Sequence, residues 1–188
     1  MSTATRTIDG TETPVAGVWA IDPSHTTVEF IGRHLVFTKV RGRFTDVSGS
    51  VTISDDPNAS AVEVTLDAGS LTTGNADRDG HLRSADFFDV ESHPQITFKS
   101  TNVAWKGSEG SVTGDLTVRG VTKPITLDVE LGGVVTDPWG GNRAVFSARG
   151  EVNREDWGLT WNMPLEKGGL LVSKNIQFEI ETEIVLQK

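Results

Sequence analysis

The 188-residue sequence predicts an all-β, antiparallel fold, a sandwich or a closed barrel interrupted by a single helix. Three observations predict it. Apolar residues recur with a period of two in segment after segment, as in NIQFEIETEIVLQK, where Ile176, Phe178, Ile180, Thr182, Ile184 and Leu186 share one parity and Gln177, Glu179, Glu181 and Glu183 the other. Turn chemistry separates the runs, in Arg119-Gly120-Val121-Thr122-Lys123-Pro124 and again in Asp137-Pro138-Trp139-Gly140-Gly141-Asn142. Only about residues 77–88 break the strand pattern with a helical one.

In chain order, residues 1–16 are rich in Thr with Gly and Pro and read as a flexible N-terminal tail, leaving 17–188 as one domain. Strands are expected at about 17–21, 26–34, 40–54, 61–68, 95–105, 111–119, 124–135, 143–153 and 175–187. In AVEVTLDA the buried parity is Val62, Val64, Leu66 and Ala68; in PITLDVEL it is Ile125, Leu127, Val129 and Leu131. A short turn is expected near His34 to Thr38. The helix has Asn75 or Asp77 as its N-cap and Asp79 in its first turn, where a carboxylate favours the helix dipole. Arg83 stands four residues after Asp79, the spacing of a helical ion pair on a wet face. Leu82, Ala85 and Phe88 would form the opposite, downward face.

Glycine totals 20, against about 13 expected at ~7% usage. Several glycines share the apolar parity with bulky residues: Gly42 with Phe44, Gly114 with Leu116, Gly150 with Phe146. One reading is a hollow barrel, since a solid core wants bulk inward; the other is that these glycines mark bulges and bends. A barrel of about eight strands has room for one small ligand.

Composition excludes several chemistries. A net charge of −9 with no basic run argues against nucleic-acid binding. With no cysteine there is no disulfide, thiolate metal site or cysteine nucleophile. His25, His34, His81 and His93 show no paired ligand spacing, so no metal or other cofactor is expected. No Gly-x-Ser-x-Gly and no phosphate-binding glycine loop occurs. No apolar run matches a signal peptide or a membrane helix, which points to a cytoplasmic protein. Trp157 and Trp161, four apart in NREDWGLTWN, suit a plug at one barrel end or the lining of a pocket mouth.

The stretches WAIDPSHTTVEF (19–30), KVRGRF (39–44), SLTTGNADRDGHLRSADFFD (70–89), HPQITF (93–98), GDLTVRGVTKP (114–124) and NREDWGLTWN (153–162), in this order, resemble the YceI-like family of polyisoprenoid-binding proteins. The resemblance covers about residues 17–187. It implies an eight-stranded antiparallel, lipocalin-like barrel with a short capping helix, and an apolar tunnel for a polyisoprenoid chain or an isoprenoid quinone. It supplies no catalytic residue. Two departures stand out: many members are secreted or periplasmic and carry a signal, and many have an aromatic where His93 stands.

Taken together, these readings give candidate tunnel and lid residues Phe30, Phe44, Leu82, Phe87, Phe88, Phe98, Leu116, Phe146, Trp157 and Phe178. Arg78, His81 and Arg154 are candidate contacts for a polar headgroup. The expected function is a soluble binder or carrier of an isoprenoid lipid. The alternatives are a binder of another amphiphile, such as a fatty acid or amide, and an enzyme acting on a lipid in the barrel. Strand edges left by imperfect closure would suit a homodimer. Under the lid reading Asp79 and His81 face water, and Phe88 faces the tunnel.

Overall fold

The computed structural model describes residues 4–188. In chain order its elements are β1 (Thr5–Ile8), β2 (Thr11–Pro14), β3 (Gly17–Ile21), β4 (Thr27–His34), β5 (Thr38–Phe44), β6 (Val47–Ile53), β7 (Ala61–Asp67), β8 (Leu71–Thr72), α1 (Ala76–Arg83), β9 (Gln95–Lys106), β10 (Glu109–Val118), β11 (Val121–Thr136), β12 (Asn142–Asn153) and β13 (Asn175–Leu186). Eight of them, β3–β6–β7–β9–β10–β11–β12–β13, pair antiparallel in a ring that closes where β13 meets β3.

Strand β13 serves two neighbours in succession. Ile184–Leu186 pair with Trp19–Ile21 of β3, and Gln177–Glu181 pair with Thr27–Ile31 of β4. Strands β3 and β4 are therefore one line along β13, broken by a 3-10 turn over Pro23–His25. Asp22 caps that turn by accepting the Ser24 amide at 2.9 Å. The partner line breaks too: the single strand expected over 40–54 is β5 and β6, interrupted at Thr45-Asp46. There Ser70 Oγ takes both amides at 3.1 Å, removing them from the ladder. Beyond the break, β4, β5 and the two-residue β8 form an extension of the wall, and β8 is its free edge.

That edge is covered by the protein's own helix. Arg83 donates to the Gly69 and Leu71 carbonyls, and α1 is capped by Asn75, whose Oδ1 accepts the Arg78 amide at 2.9 Å. The helix is shorter than its sequence suggests, ending at Arg83 instead of near 88. Ser84 ends it: its hydroxyl and amide both bind the His81 carbonyl. The chain then turns, so Leu82 and Phe88 still face inward while Ala85 is exposed.

Residues 5–14, assigned to the tail from composition, form the β1–β2 hairpin. Arg6 anchors it to the barrel through the Ser54 carbonyl and the Asp55 carboxylate, and Ala4 and Thr13 are buried. Thr and Gly here encode a tight hairpin, with Asp9 and Gly10 both at positive φ. Near the same end lies a compact cluster of Trp19, Leu131, Ala144 and Ile184, joined by Val15.

Two of the inward glycines, Gly42 and Gly114, serve the rings beside them, while Gly150 leaves room for Leu127. A Cβ on Gly42 would collide with the Phe30 ring at Cζ, and one on Gly114 would stand 2.5 Å from Phe98 Cζ. Each of these two is a seat for a neighbouring aromatic, a close-approach role, and not an empty place in the lumen. The turn between β4 and β5 is unusual in the other direction. Leu35 and Val36 both hold left-handed backbone, φ 51° and 70°, where hairpins favour Asn or Gly. Such positions cost on the order of 1–3 kcal/mol each.

Candidate functional site

The ring encloses a cavity of about 780 Å³ that reaches from the lid toward the N-terminal hairpin. Strand alternation builds it: alternate residues of the barrel strands point in, and most of them are Val, Ile, Leu and Phe, with Trp105, Ala148 and Thr182 among the rest. All thirteen candidate residues border it, namely Phe30, Phe44, Leu82, Phe87, Phe88, Phe98, Leu116, Phe146, Trp157 and Phe178, with Arg78, His81 and Arg154. The candidate set left out much of the remaining wall: Ile21, Val28 and Val103, and also Leu127, Val129 and Ile180, which strand parity places on the buried side. Parity carried that signal, since Leu127 and Val129 alternate with exposed neighbours on β11.

The roof is aromatic. Phe88 stands edge-on to Phe44 at 5.8 Å and to Phe30 at 6.2 Å, so the lid docks on β4 and β5 through rings. Phe87 and His81 meet Trp161 at 5.4 and 4.6 Å between ring centroids. Trp157 is buried and donates its indole N–H to the Leu116 carbonyl at 3.0 Å, pinning the loop after β12 to β10. The two tryptophans divide the roles read from their sequence: Trp157 is packed as a plug, and Trp161 sits with the lid.

The polar candidates turn out differently. Arg78 is spent on Thr73, donating to its hydroxyl at 2.7 Å and its carbonyl at 3.1 Å. His81 hydrogen-bonds Asp86 through Nε2 at 2.9 Å on the solvent side while its ring stacks edge-on with Trp161, so it is half-buried, with one side on water and the other on the lid. Arg154 is buried, with no carboxylate partner among the described residues. It donates from Nε to the Ser173 carbonyl and from Nη1 to the Leu159 carbonyl, and lies 5.8 Å from the Phe87 ring centroid. Its Nη2 is buried without a partner among the described residues. Burial pulls its pKa below the ordinary arginine value, with Glu155 opposing.

Asp79 corrects the sequence reading most sharply. It is buried, and its carboxylate accepts the Thr73 amide (2.8 Å), the Thr73 hydroxyl (2.6 Å) and the Thr72 hydroxyl (3.1 Å). Burial raises its pKa, but these hydrogen bonds outweigh burial and hold it below the usual aspartate value. Arg83, expected to pair with it, points to backbone carbonyls.

Asp22, His25 and Glu183 lie close enough together to resemble a metal site. A cation already holds that place: Arg143 Nη1 is 2.7 Å from Asp22 and 3.0 Å from Glu183, while Arg143 Nε is 2.8 Å from Asp137. Hydrogen bonds from Arg143 and His25 pull the Asp22 carboxyl well below the usual range.

Known proteins share this architecture. The crystal structure of Burkholderia cenocepacia BcnA superposes with a TM-score of 0.75 at 20% identity, covering 87% of this chain and 98% of that one. The Campylobacter jejuni YceI protein matches at 32% identity and a TM-score of 0.71 over 83% of this chain and 90% of that one. A polyisoprenoid binding domain from Saccharophagus degradans matches at 13% identity and a TM-score of 0.67, covering 92% and 100%. In sequence, Protein YceI of Salmonella newport is 40% identical over 181 residues, 95% of this chain and 92% of its own. The model of the YceI-like domain matches residues 19–184, and with that span and those relatives the chain belongs to the YceI-like family.

Proposed function

We propose that this protein binds and carries a polyisoprenoid lipid, or an isoprenoid quinone, with the tail inside the barrel. The observation that carries this reading is the lining. The wall is apolar along its length, and the ionisable groups that border the cavity, Arg33, His34, Asp77, Arg78, His81 and Arg154 among them, lie at the lid end, with Arg6 at the hairpin end. A long hydrocarbon fits that pattern: each buried CH₂ contributes roughly 0.8 kcal/mol, so a tail of several isoprene units outweighs the cost of ordering it. The Saccharophagus degradans domain supports the choice of an isoprenoid over a fatty acyl chain. The lid would exclude water over the tail through Phe87, Phe88 and Leu82.

The test is organic extraction of protein purified from its host, followed by mass spectrometry. An isoprenoid in amounts near the protein's is the expected result. A fatty acid or amide in its place would redirect the assignment to another amphiphile. A clean extract, together with no uptake of polyprenol or quinone from detergent, would overturn it. Incubating the loaded protein and recovering altered lipid would identify an enzyme instead of a carrier.

A further inference from the structure

The β4–β5 turn presents its apolar residues to solvent. Phe37 is 83% exposed, Val36 52% and Leu35 43%. Beside them Met163 is 54% exposed on the loop that follows Trp161. The two segments are joined, because Leu35 N–H donates to the Leu171 carbonyl at 2.9 Å and Gly169 lies between Val36 and Leu165. The patch is continuous with the cavity mouth: His34 and Thr38, flanking the tip, both border the cavity.

Charge points the same way. The segment RHLVFTKVRGR, residues 33–43, carries Arg33, Lys39, Arg41 and Arg43 and no acidic residue, in a chain of net charge −9. Arg41 is outweighed by Glu29 and Glu179, a trio with one net negative charge, set against the three further cations Arg33, Lys39 and Arg43. Arg33, Lys39 and Arg43 make no ion pair among the described residues. On the facing elements, Asp77 is followed in sequence by Arg78 and Glu166 by Lys167, and the exposed lid carboxylate Asp86 is hydrogen-bonded to His81. The other exposed aromatic, Trp139, lies at the opposite end of the barrel, where the nearby cation Arg143 is held by three carboxylates.

We infer that the Leu35–Val36–Phe37 tip and the Met163 loop dock this barrel, mouth first, onto the surface of an anionic lipid bilayer. An apolar tip enters the headgroup boundary while flanking cations meet anionic headgroups, the combination that gives reversible surface binding. Such a contact would let a lipid tail pass between bilayer and cavity without crossing water. The inference rests on the lipid-carrier reading for its purpose, and on exposure, charge and position for its site.

The cysteine-free chain allows a direct test. Phe37→Cys and, as a control, Trp139→Cys are each labelled with an environment-sensitive fluorophore. They are then titrated with vesicles of phosphatidylcholine alone or with about 30% phosphatidylglycerol. The expected result is a blue shift at position 37 and none at 139, stronger with phosphatidylglycerol and weakened by salt. In co-sedimentation, the double variant Val36→Asp/Phe37→Asp should bind these vesicles about tenfold more weakly. Extracted lipid is measured on the same samples. Loaded wild-type protein that ignores both vesicles overturns the docking surface while the carrier reading stands. Vesicle binding by protein that never holds lipid supports the surface and overturns the carrier reading. If the double variant instead converts a dimer to a monomer, with the label silent to vesicles, the patch contacts a second copy and the inference fails.

Discussion

Asp79 and Thr73 are joined twice: one carboxylate oxygen accepts the Thr73 amide at 2.8 Å and its hydroxyl at 2.6 Å. This pair ties the first turn of the lid helix to the strand edge it covers. Replacing Asp79 by Ala leaves the Thr73 amide unpaired and should destabilise the protein by about 1–3 kcal/mol, measured by chemical denaturation. The carboxyl's pKa is depressed in the folded state, so its contribution is present above the ordinary value of 3.8 and drains as the pH falls through and below it. Wild type and Asp79→Ala should therefore converge in stability toward acid. A constant gap from pH 7 to pH 3 would show that the carboxylate's charge is immaterial.

Phe88→Asp should weaken binding of a fluorescent polyprenyl analogue by about tenfold or more, equivalent to ~1.4 kcal/mol. The new charge would stand among the rings of Phe30 and Phe44. His81→Ala should matter less, since it removes one face of the Trp161 contact and leaves the tunnel wall intact. Equal affinities for wild type and a folded Phe88→Asp would remove Phe88 from the roof.

Gly42→Ala is expected to cost about 1–3 kcal/mol through overpacking, because the new methyl meets the Phe30 ring. The ring's escape is toward the lumen, so ligand capacity should fall along with the melting temperature. If the melt shifts but analogue binding is unchanged, Phe30 has moved elsewhere.

Arg154→Lys should destabilise by about 2–3 kcal/mol despite keeping the charge, because an ammonium cannot reach the Leu159 and Ser173 carbonyls together. Proteolysis within 159–173 should accelerate in the variant. Unchanged cleavage there would mean the loop is held by other contacts.

Strand parity made the inner apolar face legible in the sequence, down to Phe44, Leu116, Phe146 and Phe178 on the inner wall, while the choice of a hollow barrel over a sandwich came from the resemblance to the YceI-like family. The breaks were not legible. Whether residues 40–54 form one strand or two depends on Ser70, whose hydroxyl comes from a distant turn. Nor was Asp79 readable as buried. Helical spacing offered Arg83 as its partner, but two threonines outside the helix claim it, and only the fold brings them together. The N-terminal hairpin was hidden because Thr and Gly serve strands and tails alike. Arg6 reaching Asp55 decides between them.

The free edge at β8 has a kinetic meaning. The lid completes a wall that the ladders leave open, so uncovering the lumen there breaks no strand pairing of the ring. It requires only that α1 release a handful of side-chain hydrogen bonds and ring contacts. Openings of that kind are local, cheaper than global unfolding and run on the microsecond-to-second scale. Under the proposed function, the residence time of a bound lipid would then be governed by this one segment, while the ring stays at the full stability of the molecule. Amide protons of 76–83 should exchange with solvent orders of magnitude sooner than those of β10 and β11.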